Sequence, residues 1–455
     1  MQLEIEQVGH EIDRFIGQEI EVLARETKFV QRASKLNGRA FVQTLTFGFL
    51  GRGELSLNDL AEVCADVGVD ITAQGLDERI TPNTVDFLKA VFARALNLFQ
   101  NRIPLPLALL QQFNGIYLAD SSVIPLPDTM AQDFPGCGGN GPAASLKVQL
   151  SFEFLCGNMA HIALRPGREP DQAYQDFVQV LPEGALSIAD LGYFTLDTLK
   201  AIVYEQRAHF LSRFLTPITL LTPAGEPFHL LERLRAGPRQ LVEFAVLLGQ
   251  QAQHRLPCRL IAWPTPQEVA DRRRHKAKEK ARRQKKTIRP ETLALMDWSL
   301  YVTTVSAQML PLEHVAFLYS IRWQVELVFK LWKSHCALRR LAGFRRERIL
   351  VELYGKLIGV VLTHFLIAPL RMPSGALTNR EISPVKVRKI LGTCARELNR
   401  CLGHPLQFQT ALVDMLSRIG RFGFKQKRTK EPNTCHALAL VSAAYRVNIA
   451  DLALA

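Results

Sequence analysis

Apolar positions along the chain follow two rhythms that change near residue 110. Up to about residue 108 they recur every three to four residues, through Phe41–Phe49 and again from Val85 to Leu98, which predicts helices. Between those runs, LSLNDLAEVCADVGVDITAQGLDERI predicts two short helices around a turn at Gly68. From about Phe113 the period is two. Ile116, Leu118 and Asp120 share one strand face, and Leu146, Val148, Leu150, Phe152 and Phe154 alternate with Lys147, Gln149, Ser151 and Glu153. Cys156-Gly157-Asn158 supplies a turn into a partner strand carrying Ile162 and Leu164. A helix over Asp171–Val180, a strand over ALSIAD and a helix over Thr195–Tyr204 complete the series.

From about 211 to 298, Pro217, Pro223, Pro227, Pro238, Pro264 and Pro266 punctuate short apolar runs such as Ile218–Leu221 and Arg259–Trp263, so a β-rich insertion is expected. Ser299–Ser306 reads as a strand, Leu312–Lys333 as one long helix, and the remainder as mostly helical. The order predicts an α/β fold: a mixed sheet with a hairpin at its start, interrupted by a β-rich subdomain and flanked by helical regions. The expected divisions are 1–108, 109–210, 211–298, 299–372 and 373–455.

Composition is ordinary for a globular chain, but charge is not. A formal net charge of +13 and a pI near 9.5 favour a polyanionic partner, nucleic acid ahead of a membrane surface. With such a partner, the helix pair around Gly68 takes on the outline of a helix-turn-helix. The densest positive segment is DRRRHKAKEKARRQKKTIR, which contains Arg272, Arg273, Arg274, Lys276, Lys278, Lys280, Arg282, Arg283, Lys285 and Lys286. Self-repulsion predicts an exposed, extended segment able to track a phosphate backbone; a solvated charged helix is the plainer alternative. The first fifteen residues lack the basic start and apolar run of a secretory signal, and the scattered cysteines form no zinc-spaced cluster. A cytosolic, reduced protein is expected. The apolar stretch Leu357–Leu370 is short for a membrane span and suits a buried helix. No phosphate-binding loop for ATP and no dinucleotide fingerprint occurs.

Two aspartates, in LAD120 and IAD190, end rows of alternating apolar residues at the same phase. Each alone fits a strand-end residue capping a turn; strands that neighbour each other would bring the two carboxylates together. In YSIRWQVELVFKLWK, Tyr319, Arg322, Glu326 and Lys333 fall within about 60° on an ideal helix. Leu318, Ile321, Val325, Val328, Phe329 and Trp332 fill the adjacent arc. Standing alone, that helix is an amphipathic one with an Arg322–Glu326 pair.

Taken together, Asp, Asp and then Glu with Lys on one helical face resemble the bacterial insertion-sequence transposases with a Y-R-E-K signature. These belong to the DDE group that shares a ribonuclease H-like fold with retroviral integrases. GIYLADSSVI, ADLGYF and the Glu326 segment are similar to that family's motifs, and FVQTLTFGFL to its helical pre-domain. The resemblance implies a transposase with catalytic, metal-binding Asp120, Asp190 and Glu326, holding two Mg²⁺ ions, for which Mn²⁺ can substitute. It implies double-stranded DNA, both transposon ends and target, as substrate, a homodimer in the synaptic complex, and a bacterial, nucleoid-associated location. Tyr319, Arg322 and Lys333 would meet phosphates, and Trp298 would stack on an extruded base. A nuclease of the same fold without joining activity, or an inactive DNA-binding descendant, are the alternatives.

Overall fold

The structure, a computed structural model, describes residues 2–426 apart from 101–103, 106, 140, 215–217, 252–254, 342 and 368–381. Pro217, the end of the Leu357–Leu370 run and the tail beyond 426 therefore lie outside the described residues. Six helices precede the sheet: α1 (Gln2–Arg14), α2 (Ile20–Glu26), α3 (Gly38–Gly51), α4 (Leu57–Asp66), α5 (Ala73–Glu78) and α6 (Pro82–Leu98). Their starts are written in the chain. Asn37 accepts from the Ala40 N–H, Ser56 and Asp59 form a reciprocal capping box, and Pro82 opens α6. The Gly68 turn between α4 and α5 has φ +79°, a conformation that glycine adopts without strain.

One mixed nine-stranded sheet follows: β1 (Ile116–Leu126), β2 (Ala144–Glu153), β3 (Asn158–Pro166), β4 (Leu186–Ala189), β5 (His209–Arg213), β6 (Leu220–Leu221), β7 (Val242–Leu248), β8 (Leu256–Pro264) and β9 (Trp298–Thr303). The spatial order is β3-β2-β1-β4-β5-β9-β8-β7-β6. β1–β3 form an antiparallel meander, while β1, β4 and β5 run parallel. This is a ribonuclease H-like arrangement with helices on both faces. The inserted segment is strand-rich as its pattern predicts, and its strands extend this sheet beyond β9 instead of forming a separate one. Between the strands lie α7 (Asp176–Gln179), α8 (Leu196–Lys200), α9 (Leu230–Ala236), α10 (Gln267–Arg283) and α11 (Pro290–Ala294). After β9 come α12 (Leu312–Ser320), α13 (Trp323–Ser334), α14 (Arg346–Ile367), α15 (Pro384–Cys401) and α16 (Pro405–Phe422).

Alternation along each strand feeds two cores. Leu118, Ile188, Leu211, Ile261 and Tyr301 face a core shared with α13, α14 and the flanking helices; Ala119, Phe210, Leu260, Leu300 and Val302 face another.

Several expectations are corrected. Asp171–Val180 is two short turns, a 3₁₀ turn at Asp171–Ala173 followed by α7. β5, which the pattern did not pick out, is a strand that straddles the expected boundary at 210/211 and belongs to the parallel part of the sheet. The basic segment is helical: α10 carries it to Arg283. The expected single helix Leu312–Lys333 is two, joined by i→i+3 bonds from Ile321 N–H to Leu318 and from Arg322 N–H to Tyr319. Ser320 contributes to the break, since its hydroxyl donates to the Phe317 carbonyl at 2.6 Å. α14 is long and apolar enough to cross a membrane by composition, yet its side chains are almost all buried against protein, as expected of a core helix.

Candidate active site

Three parallel strands share one row of polar side chains. β4 and β5 end at it, while β1 runs on past Asp120 to Leu126 beside β2, so Asp120 is a mid-strand residue and not the strand-end residue its apolar row suggested. Leu118 pairs with Ile188 and Ile188 with Leu211, so Asp120, Asp190 and Arg213, each two residues further on, stand level across β1, β4 and β5. Neighbouring strands lie about 4.8 Å apart, which places adjacent members of this row within electrostatic reach. Antiparallel β9 adds Tyr301 opposite Arg213. β4 and β5 therefore present their C-terminal ends, and β9 its N-terminal half, beside the middle of β1.

α13 lies over that row. Val325, Phe329 and Trp332 are buried, and Trp332 donates its indole N–H to His364 of α14 at 3.0 Å. This seating turns Glu326 toward β1. Arg322, at the junction of α12 and α13, lies between the two elements: its Nη1 donates to Asp120 Oδ2 at 3.4 Å and its Nη2 to Glu326 Oε1 at 2.6 Å. Asp120 Oδ1 accepts from the Ser121 N–H at 2.8 Å. The Asp120 carboxyl is pushed up to about 6, mainly by burial and to a smaller extent by the charges of Glu326 and Asp190, against the downward pull of Ser121 and Arg322. Against the cost of burial, the bond to Glu326 and the charges of Asp190 and Asp120 hold Arg322 protonated.

Of the other expected residues, Tyr319 is buried, its ring 5.3 Å from that of Tyr301. The Arg213 guanidinium lies 5.7 Å from the Tyr319 ring centroid. Lys333 is half-buried, its pKa lowered first by burial and then by Arg339, with Asp120 pulling the other way. Trp298 begins β9, 8% exposed and packed in the second core. On α10, Arg273 donates to Thr265 Oγ1 and the Trp298 carbonyl through Nη1 and to Ser299 Oγ through Nη2. Arg274 bridges Asp271 and Asp297. Both guanidiniums are thus engaged within the protein, whereas Arg272, Lys276, Lys278, Lys280, Arg282, Arg283, Lys285 and Lys286 are exposed.

Sequence reading missed Arg213. The signal was present in HFLSR, an apolar run ending on a polar residue as LAD120 and IAD190 do. It was hidden because the run is only five residues long and straddles the expected boundary at 210/211.

Asp120, Asp190 and Glu326 offer only carboxylate oxygens, the donor set of Mg²⁺ or Mn²⁺ and not of zinc. Burial is the main cause of the raised Asp120, and the charges of Glu326 and Asp190 add to it; a cation would offset both, so the donor set fits divalent metal. Among the described residues no three acidic, histidine or cysteine side chains already converge on one point. Arg322 now supplies positive charge between Asp120 and Glu326.

The sequence that builds this site is similar to known proteins. Residues 111–362 match the family described as transposase DDE domain, a span from just before β1 into α14. The chain is 26% identical over 450 residues to the transposase for insertion sequence element IS1151 of Clostridium perfringens, covering 93% of each. It is 28% identical over 417 residues, 85% of each, to the transposase for IS231F of Bacillus thuringiensis subsp. israelensis. It is also 24% identical over 250 residues to the putative transposase InsL for IS186A of Escherichia coli, covering 54% of this chain and 66% of the relative. The protein belongs to the DDE transposases of bacterial insertion sequences.

Proposed function

We propose that Asp120, Asp190 and Glu326 are the catalytic and metal-binding carboxylates of a cut-and-paste transposase, one site performing both end cleavage and strand transfer. The observation that carries this is the level row of Asp120 and Asp190 with Glu326 brought over it by α13. DDE transposases generally use divalent metal ions, and Mg²⁺, as a pair with Mn²⁺ able to replace it, is the proposed cofactor. Bound there, such ions supply activation of the attacking oxygen and stabilisation of the leaving oxygen. The chain's own residues do the rest. Arg322, which now bridges Asp120 and Glu326, turns to a DNA phosphate once other positive charge satisfies the carboxylates. Lys333 and Arg213 bracket the row with further positive charge, and Tyr319 fixes the direction of Arg213 through its ring.

DNA is the substrate. The exposed cations of α10 and of the residues just after it are the proposed phosphate-tracking surface. The α4–α5 pair fits that role poorly, because its polar positions include Asp59, Glu62, Asp66, Asp70, Asp77 and Glu78. A dimer spanning two ends, each core cutting the end bound by the other, acts on DNA in the bacterial cytoplasm. Trp298 supplies a stacking surface for an extruded base once it leaves its present packing.

The test is cleavage and joining of DNA that carries the ends of the element encoding this chain. Asp120→Asn, Asp190→Asn and Glu326→Gln each abolish cleavage in Mg²⁺ while DNA binding persists, since each removes a ligand and little surface. Near-wild-type nicking by any one of them removes that residue from the triad. In the same assay, Trp298→Ala slows double-strand cleavage more than the first nick; equal slowing of both steps marks it as packing only.

A further inference from the structure

Behind the two aspartates, on the opposite face of the sheet, lies a polar network that the proposed chemistry does not use. Lys147 and Gln149 alternate with apolar residues on β2, the pattern of a solvated strand face, yet both are buried, Gln149 to 1% exposure. They converge on Asp171, the first residue of the 3₁₀ turn after β3. Asp171 Oδ1 accepts from Ser121 Oγ at 2.8 Å, from Lys147 Nζ at 3.0 Å and from Gln149 Nε2 at 3.1 Å. The Tyr193 hydroxyl donates to Gln149 Oε1.

The placement of these bonds is specific. Ser121 follows Asp120 directly and sits opposite Gln149 in the β1–β2 register. Tyr193 closes the turn that starts at Asp190, its N–H donating to the Asp190 carbonyl at 3.0 Å. The same turn passes close to Asp171: a Cβ on Gly192 would lie 3.1 Å from Asp171 Oδ2. One carboxylate thus ties the residue after Asp120 to the turn after Asp190. A buried lysine paired with a half-buried aspartate is a costly way to fill a strand face, since apolar residues of similar volume often do as well or better for stability. What the pair supplies that apolar packing cannot is direction.

We propose that Asp171, held by Lys147 and Gln149, is a positioning residue that sets the spacing and orientation of Asp120 and Asp190 for metal. The inference rests on those two aspartates being ligands. Outer partners of metal ligands typically change affinity or activity by about 10- to 100-fold when altered. Asp171→Asn keeps the shape but weakens the pull on Lys147; Tyr193→Phe removes one hydroxyl and leaves the packing.

The experiment measures Mn²⁺ binding by electron paramagnetic resonance, the Mg²⁺ concentration for half-maximal cleavage, DNA affinity and the melting temperature, for both variants and for Asp120→Asn. Expected for both variants is DNA binding within about twofold of wild type, with Mn²⁺ binding weakened and the Mg²⁺ requirement raised by roughly tenfold or more. Unchanged metal binding and Mg²⁺ requirement in folded protein overturn the proposal, and so does a lowered melting temperature with no change in either. Should Asp171→Asn fail to fold, Tyr193→Phe decides by the same readouts. Wild-type cleavage by Asp120→Asn would sink the site assignment itself; an inactive Asp120→Asn beside a normal Asp171→Asn and Tyr193→Phe sinks only the positioning role.

Discussion

Lys356 shows how a single residue fixes the approach to the site. It lies on α14 with its ammonium 2.8 Å from Glu352, both side chains essentially without solvent. It also donates to the carbonyls of Ala337 and Arg340, in the link leaving the end of α13. That link includes Ala337 at φ +52°, a left-handed conformation that alanine holds only when its surroundings impose it. Lys356→Met removes the ammonium nearest the buried Glu352 carboxylate and frees the link, at a cost of about 3–5 kcal/mol. Urea denaturation measures the loss, and adding Glu352→Gln in the same chain should recover much of it. A single variant as stable as wild type would show that the pair contributes nothing. At this scale the sequence was legible where chemistry ends a pattern: Asp120 and Asp190 close apolar rows, and Glu326 has Lys333 two turns along. Arg213 left a faint signal in HFLSR whose meaning needed strand register, while Lys147 and Asp171 were not legible, because they act on a covered face whose polar alternation reads as solvated. Periodicity says which residues share a face, but not whether another layer covers it.

Elements were legible where period and caps agree and misread where charge or a local bond intervenes. The hairpin β2–β3, the strand β4 and the helix α3 follow directly from spacing. The break between α12 and α13 does not, since an unbroken apolar stripe runs across it and the turn depends on Ser320 bonding its own backbone. α10 was expected to be extended because its cations repel one another. The helix forms because Glu268 stands in its first turn, Ala270, Ala277 and Ala281 favour helix, and Arg273 and Arg274 are clasped to Ser299 and Asp297. Its other cations, Arg272, Lys276, Lys278, Lys280, Arg282 and Arg283, remain exposed on a preformed rod. Replacing Lys276, Lys278 and Lys280 by glutamine should weaken binding to all DNA sequences alike. The slope of log affinity against log salt should flatten by about 0.9 for each DNA phosphate that the variant no longer neutralises. Circular dichroism should show the helix content retained. An unchanged slope would mean that α10 does not touch DNA.

At the scale of the whole molecule, the flanking helices and the nine-stranded sheet are not beads on a string. One core runs from Ile12 of α1 through β1–β3 and α14 to Ile419 of α16. α15 packs on α3, where Arg388 donates to the carbonyls of Leu50 at 2.6 Å and Phe49 at 3.0 Å. Arg396 and Arg400 both hold Asp66 at the end of α4. α14 is the hub: Tyr354 meets Phe92 of α6, Phe365 stacks on Phe99, and His364 accepts from Trp332 of α13. A chain ending at residue 372 would therefore strip Val387, Leu391, Leu398, Phe408, Leu412, Met415 and Ile419 from that core. Each fully buried side chain of this kind stabilises by about 1.5–3 kcal/mol, and a whole domain is stable by only about 5–15 kcal/mol. The loss is large enough that the truncated chain should not hold its N-terminal helices, even though every proposed catalytic residue is present. It should be insoluble or lack a cooperative melting transition, and should bind DNA without cleaving it, if at all. A 1–372 fragment that melts cooperatively at the full-length temperature would show that α15 and α16 form a separable unit, and that the shared core contributes far less than its burial implies.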